Sequence, residues 1–270
     1  MKIFVNEITL DYNGKKCVGE VRRCYKKGAD ILLCNGGLVD ASYKIKENDR
    51  ISLITRGEIP SRKDMENLMQ ARNPHIFTEA LKDKVVGIAG LGGLGSVVAI
   101  SLARSFVKKL VLVDYDVVEP SNLNRQQYFT SQIGDSKVHA LSENIKQINP
   151  YIEVECVNRY LTASNSVEIF NEVDIVAECF DSATAKAMLV EQVLTGLDCK
   201  IVAASGVAGY KKLNEVKCKQ ISSRFFLVGD GDSGAEPGMG LTAAKVGIAA
   251  NLQAAKIIEL LIKDYDENKS

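Results

Sequence analysis

The run Gly90-Leu91-Gly92-Gly93-Leu94-Gly95 constrains the fold of this chain more than any other segment. It follows the apolar run Val85-Val86-Gly87-Ile88-Ala89 and precedes a stretch of helical pattern, Val97 to Phe106. Strand, glycine loop and helix in that order are the context a G-x-G-x-x-G match needs. The glycines permit a tight turn and let phosphates approach the backbone, and the following helix presents free N–H groups at its positive end. Asp114 stands nineteen residues after Gly95, at the end of a second apolar strand, Leu110 to Val113. A carboxylate there can accept hydrogen bonds from ribose hydroxyls. Together these features predict a site for an adenosine nucleotide.

Beyond the loop, strands and helices keep alternating. Ser136–Ile148 reads as a helix, and Ile152–Val157, Val173–Ala177 and Ile201–Ala204 read as strands. Thr242–Lys263 reads as a long final helix rich in Ala and Gly. This order implies an α/β fold with a Rossmann-like, doubly wound parallel sheet. The first sixty residues differ. Lys2–Leu10 is strand-like and Asn13-Gly14 is a hairpin signal. Val21–Lys27 reads as a short helix, and Ile31–Cys34 and Arg50–Thr55 as further strands. That is the element order of an N-terminal α+β domain of the β-grasp, ubiquitin-like kind. The expected division is 1–58 for the β-grasp domain, 59–82 for a helical connector, 83–264 for the nucleotide domain and 265–270 for a tail. In the connector, Ser61 is placed to cap a helix running to Arg72, which Pro74 ends.

Charge and cysteine usage narrow the function classes. Lys+Arg and Asp+Glu both number 34, so the chain lacks the excess positive charge of a general nucleic-acid binder. The seven cysteines form no C-x-x-C pair, which argues against a structural zinc site and against a disulfide framework. The N-terminus does not read as a signal peptide, and Asn251, Gln253, Lys256 and Glu259 interrupt the most apolar stretch, Val246–Ile262. The expectation is a cytoplasmic protein that does not enter a membrane.

A glycine loop alone would suggest a dinucleotide and hydride transfer. Against that stand the extra glycine, Gly93, the presence of only two histidines, and the dense polar run after the second strand. That run reads Asp114-Tyr115-Asp116-Val117-Val118-Glu119-Pro120-Ser121-Asn122-Leu123-Asn124-Arg125-Gln126. It lies just outside a strand's carboxyl end, where open α/β sheets bind ligands. Lys137 follows twelve residues after Arg125. Two fixed cations suit a triphosphate better than a pyrophosphate that backbone groups alone can hold.

The glycine loop, Asp114-x-Asp116, Ser121-Asn122-Leu123-Asn124-Arg125-Gln126, Gly134-x-x-Lys137 and Ile148-Asn149-Pro150 occur in order. In combination they closely resemble the ThiF/MoeB/HesA adenylyltransferases, relatives of ubiquitin-activating enzymes, over about residues 70–262. Tyr128-Phe129, Ser205 to Tyr210 and Gly238 to Leu241 are similar to a short ThiF-like branch that carries a ThiS-like β-grasp segment. The resemblance implies ATP and Mg²⁺. Gly90, Gly92, Gly93, Gly95, Asp114, Asp116, Asn122, Arg125, Gln126 and Lys137 would bind the nucleotide, with Asp114 on the ribose, Asn122, Arg125 and Lys137 on the phosphates, and Gln126 orienting the site. Asp181 would hold Mg²⁺, so Arg125, Lys137 and Asp181 form the expected catalytic set. The family often has Asn after this Asp, where Ser182 stands here. Arg72 lies where relatives carry an arginine that reaches a neighbouring subunit's ATP, and a plain helix-end role is the alternative. Cys179 and Cys218 read as packed thiols before they read as nucleophiles. The segment Gly229–Gly240 either receives a carrier's tail or is a surface loop.

The implied chemistry needs little acid–base help. A C-terminal carboxylate has a pKa of about 3.3–3.7 and is ionised at neutral pH. It can attack the α-phosphate unaided if it is aligned and the phosphate charge is neutralised. The expected function is ATP-dependent adenylation of the C-terminal glycine of a separate ThiS-like carrier protein in thiamin thiazole synthesis. A sulfur donor enzyme would then act on the acyl adenylate, and a homodimer is expected. Alternatives are another carrier, a modified tRNA base, a non-catalytic scaffold or an NAD-binding oxidoreductase. Lys2–Asn6 and Glu47–Ile51 resemble a ThiS-type carrier, yet the last strand runs on into Arg56-Gly57-Glu58-Ile59-Pro60. Without a free terminal glycine this copy is expected to dock or scaffold.

Overall fold

A turn at Asn6 and Glu7 sets the first pairing, with φ of 46° and 65° at the two residues. Positive φ at both central positions is the type I′ geometry that matches the twist of a hairpin. The turn joins β1 (Lys2–Val5) to β2 (Ile8–Asp11) with Val5 opposite Ile8. The hairpin signal at Asn13-Gly14 is therefore not the turn used. Asn6 wins because its side chain is also bonded elsewhere: its Oδ1 accepts the N–H of Leu53 at 2.9 Å. The chain then passes to α1 (Val18–Tyr25), β3 (Ile31–Cys34), β4 (Gly37–Leu38) and β5 (Arg50–Ile54). The five strands take the order β2-β1-β5-β3-β4, with β1 and β5 parallel at the centre. Alternation turns Ile3, Val5, Leu32, Ile51 and Leu53 inward, where Val18 and Val21 of α1 join them.

The structure is a computed structural model that describes residues 1–14, 17–70, 75–234 and 240–267. The chain divides into two units, Met1–His75 and Ile76–Ser270. Helix α2 (Arg62–Gln70) falls in the first. It is capped as its sequence suggests: the Ser61 hydroxyl accepts the Asp64 N–H at 3.2 Å and donates to the Asp64 carboxylate at 2.8 Å. Arg72 and Pro74 lie outside the described residues. Helix α3 (His75–Leu81) ends in Leu81, fully buried in the core of the second unit.

The second unit continues through β6 (Val85–Ala89), α4 (Gly93–Ala103), β7 (Lys109–Val113), α5 (Lys137–Ile148), β8 (Glu153–Val157) and α6 (Ser166–Ile169). It goes on through β9 (Ile175–Glu178), α7 (Ala183–Gly196), β10 (Lys200–Ala204), β11 (Lys217–Gln220), β12 (Phe225–Gly229) and α8 (Ala243–Glu267). The sheet order is β11-β12-β10-β9-β6-β7-β8. All neighbours run parallel except the edge strand β11. Val98, Ala99 and Leu102 of α4 share one core with Val246, Ala250 and Ile257 of α8. The opposite face is covered by Phe170, Leu189 and Val193. Strand order reverses between β6 and β9, so a crevice forms at their carboxyl ends, the place where such sheets bind ligands. Among the described residues no helix is long and apolar enough to cross a membrane. Helix α8 runs to Glu267, four residues past the Lys263 that ends its sequence pattern.

One buried acid ties the β-grasp loops together. Asp49 is 5% exposed and accepts the Lys46 N–H at 2.8 Å and the Asn35 amide at 2.9 Å. Burial opposes its charge, but these bonds outweigh it and hold the carboxyl below its ordinary value. Asp49→Ala removes both bonds to the carboxylate from these part-buried donors, so the first unit should lose about 1–3 kcal/mol of stability. Chemical denaturation followed by amide hydrogen exchange in residues 1–55 checks this, and an unchanged midpoint would show that the bonds are replaced by water.

Candidate functional site

The glycine loop is shaped by two close approaches. A Cβ on Gly95 would lie 1.8 Å from the Gly90 carbonyl oxygen, so only glycine lets α4 start against the end of β6. Gly90 has φ +84°, and its N–H donates to the Val113 carbonyl at 2.9 Å. The first turn of α4 carries no side-chain cap, so its N–H groups face the crevice without a protein acceptor of that kind.

Asp114 closes the loop from the side. It is 9% exposed, and its Oδ2 accepts the Leu91 N–H at 2.6 Å while its Oδ1 accepts the Asp116 N–H at 2.9 Å. Each carboxylate oxygen keeps a second lone pair for a ligand hydroxyl. Asp116 pairs with Lys137 at 2.8 Å, the lysine side chain 7% exposed and the aspartate 45%. Asn122 is buried and shapes the turn that follows: its Oδ1 accepts the Glu119 N–H at 3.1 Å, and its amide reaches Ser121 Oγ at 3.4 Å.

Arg125 and Gln126 bring open polar atoms to the glycines. Arg125 donates to the Ser121 carbonyl at 3.2 Å and to Asn124 Oδ1 at 2.8 Å, while its Nε is buried without a partner. Its Cγ would lie 3.5 Å from a Cβ on Gly93. Gln126 is 7% exposed, its Oε1 is likewise buried and unpartnered, and its Nε2 lies 3.9 Å from the Cβ position of Gly92. A buried amide oxygen without a hydrogen bond is costly and marks a place built for a missing donor. The glycine loop, Asp114, Asp116, Lys137, Arg125 and Gln126 thus converge on one mouth of the crevice.

Asp181 comes to the same mouth from β9 and is exposed. The Tyr115 phenol is held above its ordinary value by Asp116 first, then by desolvation, Tyr160, Asp114 and Asp181, so Asp181 lies within electrostatic reach of Tyr115. Among the described residues no group of three or more His, Cys, Asp or Glu is placed to hold a metal ion. A single exposed carboxylate does suit Mg²⁺ that arrives with phosphates, because that ion keeps waters and takes one or two protein carboxylates. Ser182, standing where the family often has Asn, caps α7 by accepting the Ala185 N–H at 3.4 Å.

The pairing of Glu178 with Lys186 has no signal in the sequence, unlike Cys179 and Cys218, which read there as packed thiols. Glu178 is fully buried at the end of β9, paired with Lys186 at 3.1 Å and accepting the Phe180 N–H at 2.7 Å. Burial raises its carboxyl, opposed by Lys186. Cys179 is buried, donates to Gln253 Oε1 at 3.6 Å, and has its thiol pushed far above the ordinary range by burial, so it packs rather than reacts. Burial also raises the half-buried Cys218. A groove of about 550 Å³ over β7 and β8, lined by Lys109, Glu155, Arg159, Glu168 and Asn171, includes none of the glycine loop.

The start of the Gly229–Gly240 segment is anchored, unlike a free surface loop, while residues 235–239 lie outside the described part. Lys245 on α8 is 1% exposed and donates to Asp230 at 2.8 Å, to the Ala208 carbonyl at 2.7 Å and to Ser233 Oγ at 3.2 Å. Asp230 also accepts the N–H groups of Asp232 and Ser233. Burial opposes its charge, and the Lys245 bond with the Ser233 and Asp232 bonds overcomes it and holds the carboxyl far below the usual range. The glycine-rich run is legible in the sequence, and the pairing of Asp230 with Lys245 is not.

Comparison with known proteins places this geometry. The ThiF family model matches residues 66–270, and the ThiS-like ubiquitin model matches residues 1–57. Ubiquitin-like modifier-activating enzyme 5 of Caenorhabditis briggsae is 36% identical over 119 residues, which is 40% of this chain and 28% of that protein. The Drosophila sechellia enzyme of the same name is 34% identical over 160 residues, 54% of this chain and 39% of that one. The chain thus aligns with well under half the length of these relatives. Among solved structures, E. coli tRNA N6-threonylcarbamoyladenosine dehydratase in complex with AMP superposes with a TM-score of 0.69 at 19% identity, covering 78% of this chain and all of that one. E. coli MccB with ATP superposes with a TM-score of 0.58 at 22% identity, covering 76% and 64%. These likenesses establish the fold.

Lys245→Met leaves Asp230 buried without its cation and should cost about 3–5 kcal/mol, much of it recovered in the Lys245→Met, Asp230→Asn double variant. Because the Asp230 carboxyl is depressed in the folded state, its contribution is complete above the unfolded value of about 3.9 and is lost as pH falls below it. Thermal unfolding from pH 7 to pH 3 checks both: the wild-type Tm should fall at the acid end with a steeper slope than that of the double variant.

Proposed function

This chain belongs to the ThiF family, and from that premise we propose that it is an adenylyltransferase that uses ATP to activate the C-terminal carboxylate of a separate ThiS-like carrier, in thiamin thiazole formation. The observation that carries the reading is the convergence of the glycine loop with Asp114, Arg125, Lys137 and the unpartnered Gln126 amide oxygen. The match of residues 1–57 to ThiS-like ubiquitin supports a β-grasp acceptor.

In this reading the N–H groups at the start of α4, Arg125 and Lys137 receive the phosphates, and Asp114 receives ribose hydroxyls with its remaining lone pairs. A carrier carboxylate oxygen attacks the α-phosphorus, a P–O bond forms, and the bond to the bridging oxygen breaks to release pyrophosphate. No proton moves, because the nucleophile is already ionised and pyrophosphate leaves as an anion. Asp181 would hold Mg²⁺, which when bound supplies charge neutralisation at the phosphates. Arg125 restrains the phosphates through the guanidinium nitrogens left free by its bond to Asn124. The acyl adenylate passes to a sulfur donor enzyme, and the chain works as a homodimer. A modified tRNA base as acceptor is the second reading, favoured by the fold likeness to the E. coli tRNA dehydratase and weakened by the zero net charge.

The test is ATP–pyrophosphate exchange with and without purified β-grasp carriers ending in Gly-Gly. Exchange should require a carrier and fall about 100-fold in Asp181→Ala and in Arg125→Ala, as expected when a charge that stabilises the transition state is removed. Exchange that depends on tRNA instead would favour the second reading. No exchange with any acceptor, alongside tight nicotinamide binding, would sink both.

A further inference from the structure

Asp181 lies on the short segment 179–182 that joins β9 to α7, and its neighbours are held from several directions. The Cys179 N–H donates to the carbonyl of Ala89, the last residue of β6, at 2.9 Å. The Phe180 N–H donates to the Glu178 carboxylate at 2.7 Å. Ser182 caps α7 through the Ala185 N–H. The segment is also seated on the glycine loop: a Cβ on Gly90 would lie 3.1 Å from the Cys179 carbonyl oxygen and 3.0 Å from the Phe180 ring. Asp181 itself is exposed and enters none of these bonds.

Glu178 is the point where the restraints meet. Its side chain is fully buried, and its Oε1 accepts both the Phe180 N–H and the Lys186 ammonium. Its Oε2 accepts the same ammonium at 3.1 Å. Its carbonyl accepts the Gln253 amide of α8 at 3.0 Å. Lys186 stands in the first turn of α7, where the positive end of the helix disfavours a cation. A buried ion pair also costs desolvation, and apolar residues of similar volume are often no less stable. Neither helix preference nor stability therefore accounts for this pair. Its geometric effect is definite: one carboxylate joins the end of β9, the middle of the Asp181 segment and the start of α7.

We propose that Glu178 and Lys186 are positioning residues that hold the Asp181 carboxylate at the mouth of the crevice, ready for the Mg²⁺ that accompanies a nucleotide; this rests on the reading of Asp181 given above. A carboxylate on a loose segment pays an ordering cost when the ion arrives, and one on a clamped segment does not. Groups that orient a metal ligand without touching the metal commonly govern its affinity in this way.

Calorimetry of ATP binding to the full-length chain without a carrier, in the presence and absence of Mg²⁺, reads the contribution of the ion. The wild type should bind ATP more tightly with Mg²⁺, and Asp181→Ala should lose most of that gain. The Glu178→Gln, Lys186→Met double variant removes both charges and leaves neither unpaired, so its Tm should match or exceed that of the wild type. It should bind metal-free ATP as the wild type does, and its gain from Mg²⁺ should fall about tenfold. Lys186→Arg keeps the cation and should keep the gain. A double variant with the full Mg²⁺ gain would overturn the proposal. So would an equal loss for metal-free ATP, which would give Lys186 to the phosphates, and so would a fall in Tm, which would make the pair a stabilising contact. A wild type for which Mg²⁺ makes no difference would instead remove the role of Asp181, and one that binds no ATP would remove the nucleotide reading itself.

Discussion

The Asp114 carboxylate, bonded to the backbone N–H groups of Leu91 and Asp116, fixes the geometry on which the rest of the crevice depends. A hydrogen bond to a charged group contributes about 1.5–3 kcal/mol, enough to hold a glycine-rich turn that has little intrinsic preference of its own. Through these two bonds the loop after β6 and the loop after β7 become one rigid unit. Lys137 extends the unit to α5 by pairing with Asp116, and Tyr128 extends it further by donating its hydroxyl to the Leu91 carbonyl at 2.8 Å. The same acid therefore shapes the site, and in the proposed reading it also meets the ribose. Replacing it would disturb both tasks at once, so its loss alone could not separate them.

The parts of this arrangement that were legible in the sequence are local. The glycine loop, the strands on either side and the acid at the second strand end are each written in a handful of neighbouring residues. Their spacing follows from the length of one strand–helix–strand unit. The parts that were not legible join distant residues. Glu178 and Lys186 are eight apart but pair across a turn, and Asp230 and Lys245 are brought together only once β12 and α8 are packed. Helix α7, β11 and β12 carry no clear signal in the sequence. Strand β11 lies at the sheet edge with Lys217, Lys219 and Gln220 exposed, which reads as loop until its antiparallel partner is known. In the first unit Lys2–Leu10 reads as one strand, but a turn at Asn6 and Glu7, tied to Leu53 through the Asn6 side chain, divides it into β1 and β2.

The β-grasp unit raises a separate constraint. An acceptor of adenylate needs a free carboxylate, and strand β5 continues through Gly57 and Glu58 into the capped start of α2. Within this chain that unit has the fold of a carrier without the group that reacts. The acceptor in the proposed reaction is therefore a second molecule. The fused unit shares its fold class with that acceptor, so it is suited to contacts that a β-grasp surface makes rather than to the chemistry a terminal glycine performs.

Charge pairing explains how a chain of zero net charge carries a site for a polyanion. Lys137 is matched by Asp116, Lys186 by Glu178 and Lys245 by Asp230, all close to the carboxyl ends of the sheet. These pairs neutralise each other and hold loops in place, and the buried ones cost desolvation that only their mutual contact offsets. Asp114 forms no ion pair among the described residues but is bonded to two backbone N–H groups, which leaves Arg125 and Asp181 as the charges of the mouth with neither kind of partner for their charge. One is a cation of fixed charge and the other an exposed carboxylate, the complementary set that phosphate oxygens and a divalent ion require. In the proposed reading a triphosphate therefore meets not excess positive charge but Arg125, the loop N–H groups and a Lys137 ammonium that Asp116 holds in place and shares.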